Sequence, residues 1–181
     1  MSRPQRADAL RNRERILAAA SRVFAERGAA ASTEDVAALA GVAIGTVFRH
    51  FPTKQDLLSA VMKDLLARLT AEVAELATAD PSTALFEFFS RVVSAAAAQQ
   101  AVVELLAQEG VEVGADPVRA LWEGIGVLLA RAKESGTIRP EVRLDETMAL
   151  LTATAQGALR GGWSEDLRRR TLDLIFSGMR P

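Results

Sequence analysis

This chain is expected to fold from helices alone, and three features of its sequence lead there. Apolar residues recur every three or four positions over long stretches. Alanine is abundant and β-branched runs are few; aromatics make up only 5% of the chain, and tyrosine is absent. At 181 residues, 49% of them hydrophobic, the chain is long enough for one large or two small domains with a buried core.

Composition also narrows the function classes. No apolar run reaches the roughly 18 residues of a membrane span, and the opening MSRPQRADAL lacks the apolar stretch of a secretion signal. A cytoplasmic protein with no membrane partner is expected. Cysteine is absent and His50 is the single histidine, so disulfides, thiolate zinc sites and thiol redox sensing are excluded. No metal or cofactor is expected. A helical-bundle enzyme would need converging nucleophiles, acid–base groups or metal ligands; none clusters, and the chain is read as a non-enzyme.

Charge is unevenly placed. Residues 1–54 hold nine Lys and Arg against five Asp and Glu, a net of +4, whereas residues 55–181 hold thirteen against eighteen, a net of −5. The basic end suits a polyanion, although a solvated basic face would give the same balance.

The first helix is expected from about Ala7 to Arg27, with Ile16, Ala20, Val23 and Phe24 on one face and Gly28 as a left-handed stop. Ser32 or Thr33 opens a short second helix, with Glu34 and Asp35 in its first turn and Val36, Leu39 and Ala40 inward; it ends at Gly41. After Gly41-Val42-Ala43 a third short helix, Ile44–His50, turns Val47 inward with Val42 and Phe51 beside it, and Pro52 closes it. Two short helices joined by a tight Gly-containing turn, braced by a longer one, describe a helix-turn-helix over about residues 32–51. Its second helix is the one laid in a major groove.

Thr53 and Asp56 then form a capping box, and Leu57, Val61, Leu65, Leu69, Val73 and Leu76 mark one long amphipathic helix. The domain boundary is placed there: 1–54 as the DNA-binding domain, 55–181 as a C-terminal helical bundle. Asp80 and Asp116 precede Pro81 and Pro117 as helix caps. Leu121, Ile125, Leu128, Leu129 and Ala132 form one apolar stripe, Leu144–Leu159 another that ends at Gly161-Gly162, and a last helix runs from a Ser164 cap to Gly178. Nine helices are expected, three in the first domain and six in the second.

The stretch STEDVAALAGVAIGTVFRHFPTKQDLL, Ser32–Leu58, closely resembles the signature of the tetracycline-repressor (TetR) family of bacterial regulators. The likeness rests on Thr33, Gly41-Val42, Gly45-Thr46, His50-Phe51-Pro52, Lys54 and Leu57-Leu58; the remaining two thirds match only in layout. The resemblance implies a homodimeric transcriptional regulator, in the family's usual mode a repressor, whose partner is a double-stranded DNA operator. By position, Thr33 resembles a phosphate contact, with simple helix capping as the alternative. Thr46 and His50 resemble groove-facing and phosphate-contacting positions, and Lys54 resembles a clamp on the DNA backbone; solvent exposure is the alternative for each. Arg3, Arg6, Arg11 and Arg13 form a basic arm for phosphate or minor-groove contact, or else a solvated tail.

This sequence departs from the family pattern on its groove-facing side. Where Ser-Lys often follows the turn stand Ala43 and Ile44, and the frequent Tyr is Phe48. Phe48 can still pack on sugar or a thymine methyl and Ile44 can make apolar thymine contact, but neither can form the bidentate hydrogen bonds that read guanine or adenine. Arg49 is the long donor that remains, reading a base or else meeting phosphate or solvent.

The resemblance further implies that the last two helices dimerise, through a seam including Leu151, Ala155, Leu159, Leu167, Leu174 and Ile175. Two recognition helices would then face a pseudo-palindromic operator. It implies as well a pocket for a small, largely apolar effector that releases DNA, with Phe86, Phe89, Trp122, Met148, Thr152 and Gln156 as candidate lining. Plain core is the alternative for these residues, and the protein would then be a constitutive or partner-controlled regulator.

Overall fold

A computed structural model describes residues 3–108, 110 and 115–181. Among them are nine α-helices, one 3₁₀ turn after the first helix, and no strand. The helices are α1 (Arg3–Arg27), α2 (Thr33–Ala40), α3 (Ile44–His50), α4 (Lys54–Leu76), α5 (Ala84–Ala98), α6 (Gln100–Gln108), α7 (Ala115–Glu134), α8 (Leu144–Gly161) and α9 (Glu165–Met179). None is long and apolar enough to cross a membrane.

The chain divides into two compact units, Met1–Leu65 with Gln99–Val113 and Leu66–Ala98 with Gly114–Pro181. This differs from a cut after Lys54. The first turns of α4 stay with α1–α3 because Leu57, Leu58 and Val61 are buried, and α6 returns to pack on α1 through a face built from Val102, Leu105 and Leu106. The Gln99 amide, just before α6, donates to Ser21 Oγ on α1 at 2.6 Å. Periodicity shows that a helix has an apolar face; it does not show which neighbour covers that face.

In the first unit Ile16, Ala20, Val23 and Phe24 of α1 are buried with Val36, Ala37 and Ala40 of α2, Val47 of α3 and Phe51. Leu39 is 48% exposed, against the expectation that it faces inward. At 3.6 residues per turn it sits roughly 100° around α2 from the centre of the face that Val36, Ala37 and Ala40 make. Gly41 ends α2 in the left-handed region at φ 63°, its N–H donating to the Ala37 and Ala38 carbonyls, a conformation that costs glycine little.

The second unit is built around α5, whose Leu85, Phe86, Phe88, Phe89 and Val93 are buried and which packs on α7, α8 and α9. Phe176 of α9 sits 4.5 Å from the Phe86 ring and 5.7 Å from the Phe89 ring, tilted against one and edge-on to the other. Arg131 of α7 donates to the carbonyls of Leu76 at 3.4 Å, Ala77, and Ala79 at 3.1 Å, so a cation satisfies backbone oxygens at and beyond the end of α4. Gly124 of α7 lies against Val73 of α4, and a Cβ there would collide with a Val73 methyl.

Four helix ends differ from their sequence reading. α1 begins at Arg3, four residues before Ala7, so that Arg3 and Arg6 belong to the helix. α5 begins at Ala84, because Asp80 instead closes a turn: its carboxylate accepts the Ser82 N–H at 2.9 Å, and its carbonyl accepts the N–H groups of Thr83 and Ala84. Asp116 lies inside the first turn of α7, which starts at Ala115. Gly178 lies within α9, which ends at Met179. The Thr53–Asp56 capping box on α4 and the Ser164 cap on α9 are present as expected.

The Gly124 contact is open to test. Gly124→Ala is expected to destabilise the protein by about 1–3 kcal/mol through overpacking, read as a lower urea midpoint. Adding Val73→Ala should recover part of that loss, so the double variant should be more stable than the sum of the single effects predicts.

Candidate nucleic-acid interface

Seven residues are too few for a stable isolated helix, so α3 depends on the residues that anchor it. Val47 is fully buried and Phe51 nearly so. With one side of the helix held in this way, Ile44, Gly45, Phe48 and Arg49 form a contiguous exposed arc. Thr46 and His50 lie half-buried at the edge of that arc. A Cβ on Gly45 would meet open space, and no hydrogen bond or ion pair to another described residue engages Arg49. Ala43 caps α3 without a side-chain hydrogen bond, its carbonyl accepting the Thr46 N–H at 2.8 Å.

The second helix is capped by Ser32 and not by Thr33. Ser32 Oγ accepts the Asp35 N–H at 3.1 Å while Asp35 accepts the Ser32 N–H at 3.2 Å, a capping box with Asp in the role usual for Glu. Thr33 is the first helical residue; among the described residues its hydroxyl meets Glu34 alone, at 3.3 Å. Asp35 also accepts the Ser32 hydroxyl at 2.9 Å and the Arg27 guanidinium at 2.5 Å, which joins the end of α1 to the start of α2. The Ser32 hydroxyl, then the Ser32 N–H and Arg27, hold the Asp35 carboxyl below its ordinary range.

Lys54 has a role that sequence spacing does not reveal. Its ammonium donates to the Ala31 carbonyl at 2.8 Å and lies 5.7 Å from the centre of the Phe24 ring, fastening the start of α4 to the α1–α2 connection. Among the described residues no second acceptor is seen for it, so further N–H donors can serve another partner. The Arg13 guanidinium lies over Phe51 at 5.6 Å, Arg15 donates to the Gly41 carbonyl at 3.3 Å, and Arg11 pairs with Asp8. The side chains of Arg3 and Arg6 lie outside the described residues.

The six residues read as effector lining do not gather at one place. Phe86, Phe89 and Met148 are buried in the second unit, whereas Trp122 is 45% exposed and Thr152 and Gln156 are also exposed. None of the six lines the groove of about 650 Å³ between α5 and α9, where Ser90, Ser94, Arg168 and Leu172 meet Phe176. Phe86 borders a neighbouring groove of about 470 Å³ with Arg91 and Arg180. Of the residues read as a dimer seam, Leu151 and Leu159 are buried within their own unit, Ala155 and Ile175 are half-buried, and Leu167 and Leu174 are exposed.

The helical fold is shared with known transcriptional regulators. A family model described as bacterial regulatory proteins of the tetR family matches residues 16–61. A second, described as the C-terminal domain of SbtR-like transcriptional regulators, matches residues 80–181. The crystal structure of a TetR transcription regulatory protein from Mycobacterium vanbaalenii is 35% identical, covering 98% of this chain and 100% of that one with a TM-score of 0.83. A solved structure described as the molecular basis for control of antibiotic production by bacterial hormones is 28% identical, covering 93% of this chain and 97% of that one with a TM-score of 0.73. The HTH-type transcriptional repressor Rv3405c of Mycobacterium tuberculosis is 50% identical over 66 residues, which are 36% of this chain and only 35% of that repressor.

The Asp35 network predicts a pH dependence. A carboxyl whose folded pKa lies below its unfolded value stabilises the fold above the ordinary carboxylate range and loses that effect as the pH falls. Asp35→Asn should therefore melt at a lower temperature than the native chain near neutral pH. The gap should close as the pH is lowered from about 6 to about 2.

Proposed function

The chain belongs to the TetR family of bacterial transcriptional regulators, and from that membership we propose that it acts as a homodimeric repressor, released from a pseudo-palindromic operator by a small, largely apolar effector. The observation that carries the DNA reading is α3 itself: a helix anchored by Val47 and Phe51 whose outward arc leaves Arg49 without a partner among the described residues. Thr33, at the start of α2 and free of the capping role, is the phosphate contact, where hydroxyl, backbone N–H groups and helix dipole all favour an anion. Lys54 acts in two ways, holding α1–α2 through Ala31 and offering its remaining donors to the DNA backbone. Arg49 reads a base, and Thr46 and His50 touch the groove wall or phosphate from the edge of the arc. Arg3 and Arg6, in the first turns of α1, would add contacts to the DNA backbone.

Dimerisation is supported by exposed leucines in the second unit. Leu174 is 76% exposed on α9, with Leu167 two turns earlier on the same face, and pairing with a second copy would bury both. Ala155 and Ile175 would complete the seam, while Leu151 and Leu159 support it from inside the unit. Two-fold pairing would place two copies of α3 in successive major grooves.

The effector reading draws on the relative whose description concerns bacterial hormones, and on the apolar interior of the second unit. Phe86, Phe89 and Met148 supply apolar walls there, and an effector would have to part them to enter. Trp122, Thr152 and Gln156 lie at the surface, apart from those walls, and would contact the effector only if the second unit rearranged around it. α4 contributes to both units and is the natural lever; a ligand shifts the balance only by its difference in affinity for the two states.

Binding to duplexes recovered by the protein from genomic fragments should weaken steeply as salt rises. Arg49→Ala should lower affinity for the recovered operator by roughly 5- to 150-fold and affinity for random duplex far less. Leu174→Glu should yield monomers by light scattering and lose operator affinity. A dimer with no salt-sensitive binding to any duplex would overturn the proposal.

A further inference from the structure

Large apolar side chains at the surface of a monomer need a reason, and α3 carries two side by side. Ile44 is 36% exposed and Phe48 43% exposed; four residues apart, they are neighbours on one helical face. Both lie on the arc that Val47 and Phe51 turn outward, and Gly45 beside them leaves room for a close approach. The rest of the helix narrows what it can recognise. α3 reads IGTVFRH, with no Asn or Gln to pair bidentately with adenine and no Asp or Glu to accept from cytosine. Its polar groups able to reach out are Arg49, which suits guanine, and the edge residues Thr46 and His50. What Ile44 and Phe48 can recognise in a major groove is its one apolar marker, the C5-methyl group of a pyrimidine.

We propose that Ile44 and Phe48 determine operator specificity by packing on pyrimidine C5-methyl groups in each half-site, next to the base contacted by Arg49. This rests on the DNA-binding reading above. The shared chemistry is the methyl group, carried by thymine or by 5-methylcytosine at the same place in the groove. The two sources make different demands on the operator: thymine is written in its sequence, whereas 5-methylcytosine requires methylated DNA.

The test uses the full-length protein and an operator duplex that it selects from genomic fragments. Deoxyuridine replaces each half-site thymine in turn, which removes the methyl and keeps the base pair. Affinity is expected to fall about fourfold for each methyl read, the equivalent of one buried methylene, with the salt dependence unchanged because no phosphate contact is lost. Phe48→Ala should bind more weakly and become indifferent to uracil at the position that Phe48 covers, and Ile44→Ala likewise at its own. In a second arm, cytosines of the duplex are replaced by 5-methylcytosine; tighter binding there with no uracil effect would assign the methyl to modified DNA, and the reverse pattern would assign it to thymine. Salt-sensitive, sequence-selective binding that ignores uracil and 5-methylcytosine at every half-site position would overturn the proposal and leave the DNA-binding reading standing. Absence of salt-sensitive binding would overturn both.

Discussion

The burial of Val47 and Phe51 gives α3 its direction, and the functional face of the molecule depends on it. A helix of seven residues forms few internal hydrogen bonds for the backbone entropy it gives up, so tertiary packing must supply its stability. Packing through one side also fixes which residues point away. Ile44, Gly45, Phe48 and Arg49 face outward because Val47 and Phe51 face inward. In the proposed function, a side chain that enters a groove would thus owe its aim to residues buried in the core.

Polar fastenings hold the neighbours of α3 in matching positions. Asp35 is a junction, accepting from its own helix cap, Ser32, and from Arg27 at the end of α1. Lys54 reaches 23 residues back along the chain to the Ala31 carbonyl. Gly41 closes α2 in a conformation that lets the chain turn directly into α3. The second unit shows the same division between apolar anchoring and polar finishing: α5 supplies the buried phenylalanines, and Arg131 satisfies the carbonyls that α4 leaves open. These partly exposed contacts add modestly to stability and more to geometry.

Periodicity and punctuation made much of this legible before any coordinates. The inward faces of α1 and α4, the short α3, the Gly41 turn and the Thr53–Asp56 box all follow from local sequence, because helix stripes and caps are local physics. What was not legible depends on contacts between residues far apart in sequence. The cap of α2 is an exception that local sequence does settle, since Asp35 stands three residues after Ser32 whereas Val36 stands three after Thr33. Leu39 belongs to an apolar helix yet faces solvent, because Val36, Ala37 and Ala40 already fill the inward side. Leu151 and Leu159 lie on an apolar stripe of α8, and sequence cannot say that their own unit covers them. The pairing of α6 with α1, and of Lys54 with Ala31, has no local signature at all.

The family's layout has kept its scaffold here while the reading surface has changed chemistry. Polar groups common at the start and middle of the recognition helix are replaced by Ala43, Ile44 and Phe48, leaving an arc that is apolar apart from Arg49 and the edge residues. In the proposed reading, specificity drawn from such a surface would depend on shape and methyl groups as much as on hydrogen bonds. The central claim is that α3, with the starts of α2 and α4, forms the surface that meets DNA. Hydrogen–deuterium exchange with and without bound operator duplex tests it most directly: exchange should slow in Thr33–Ala40, Ile44–His50 and the first turn of α4, and protection confined to the unit of residues 66–98 and 114–181 would contradict it.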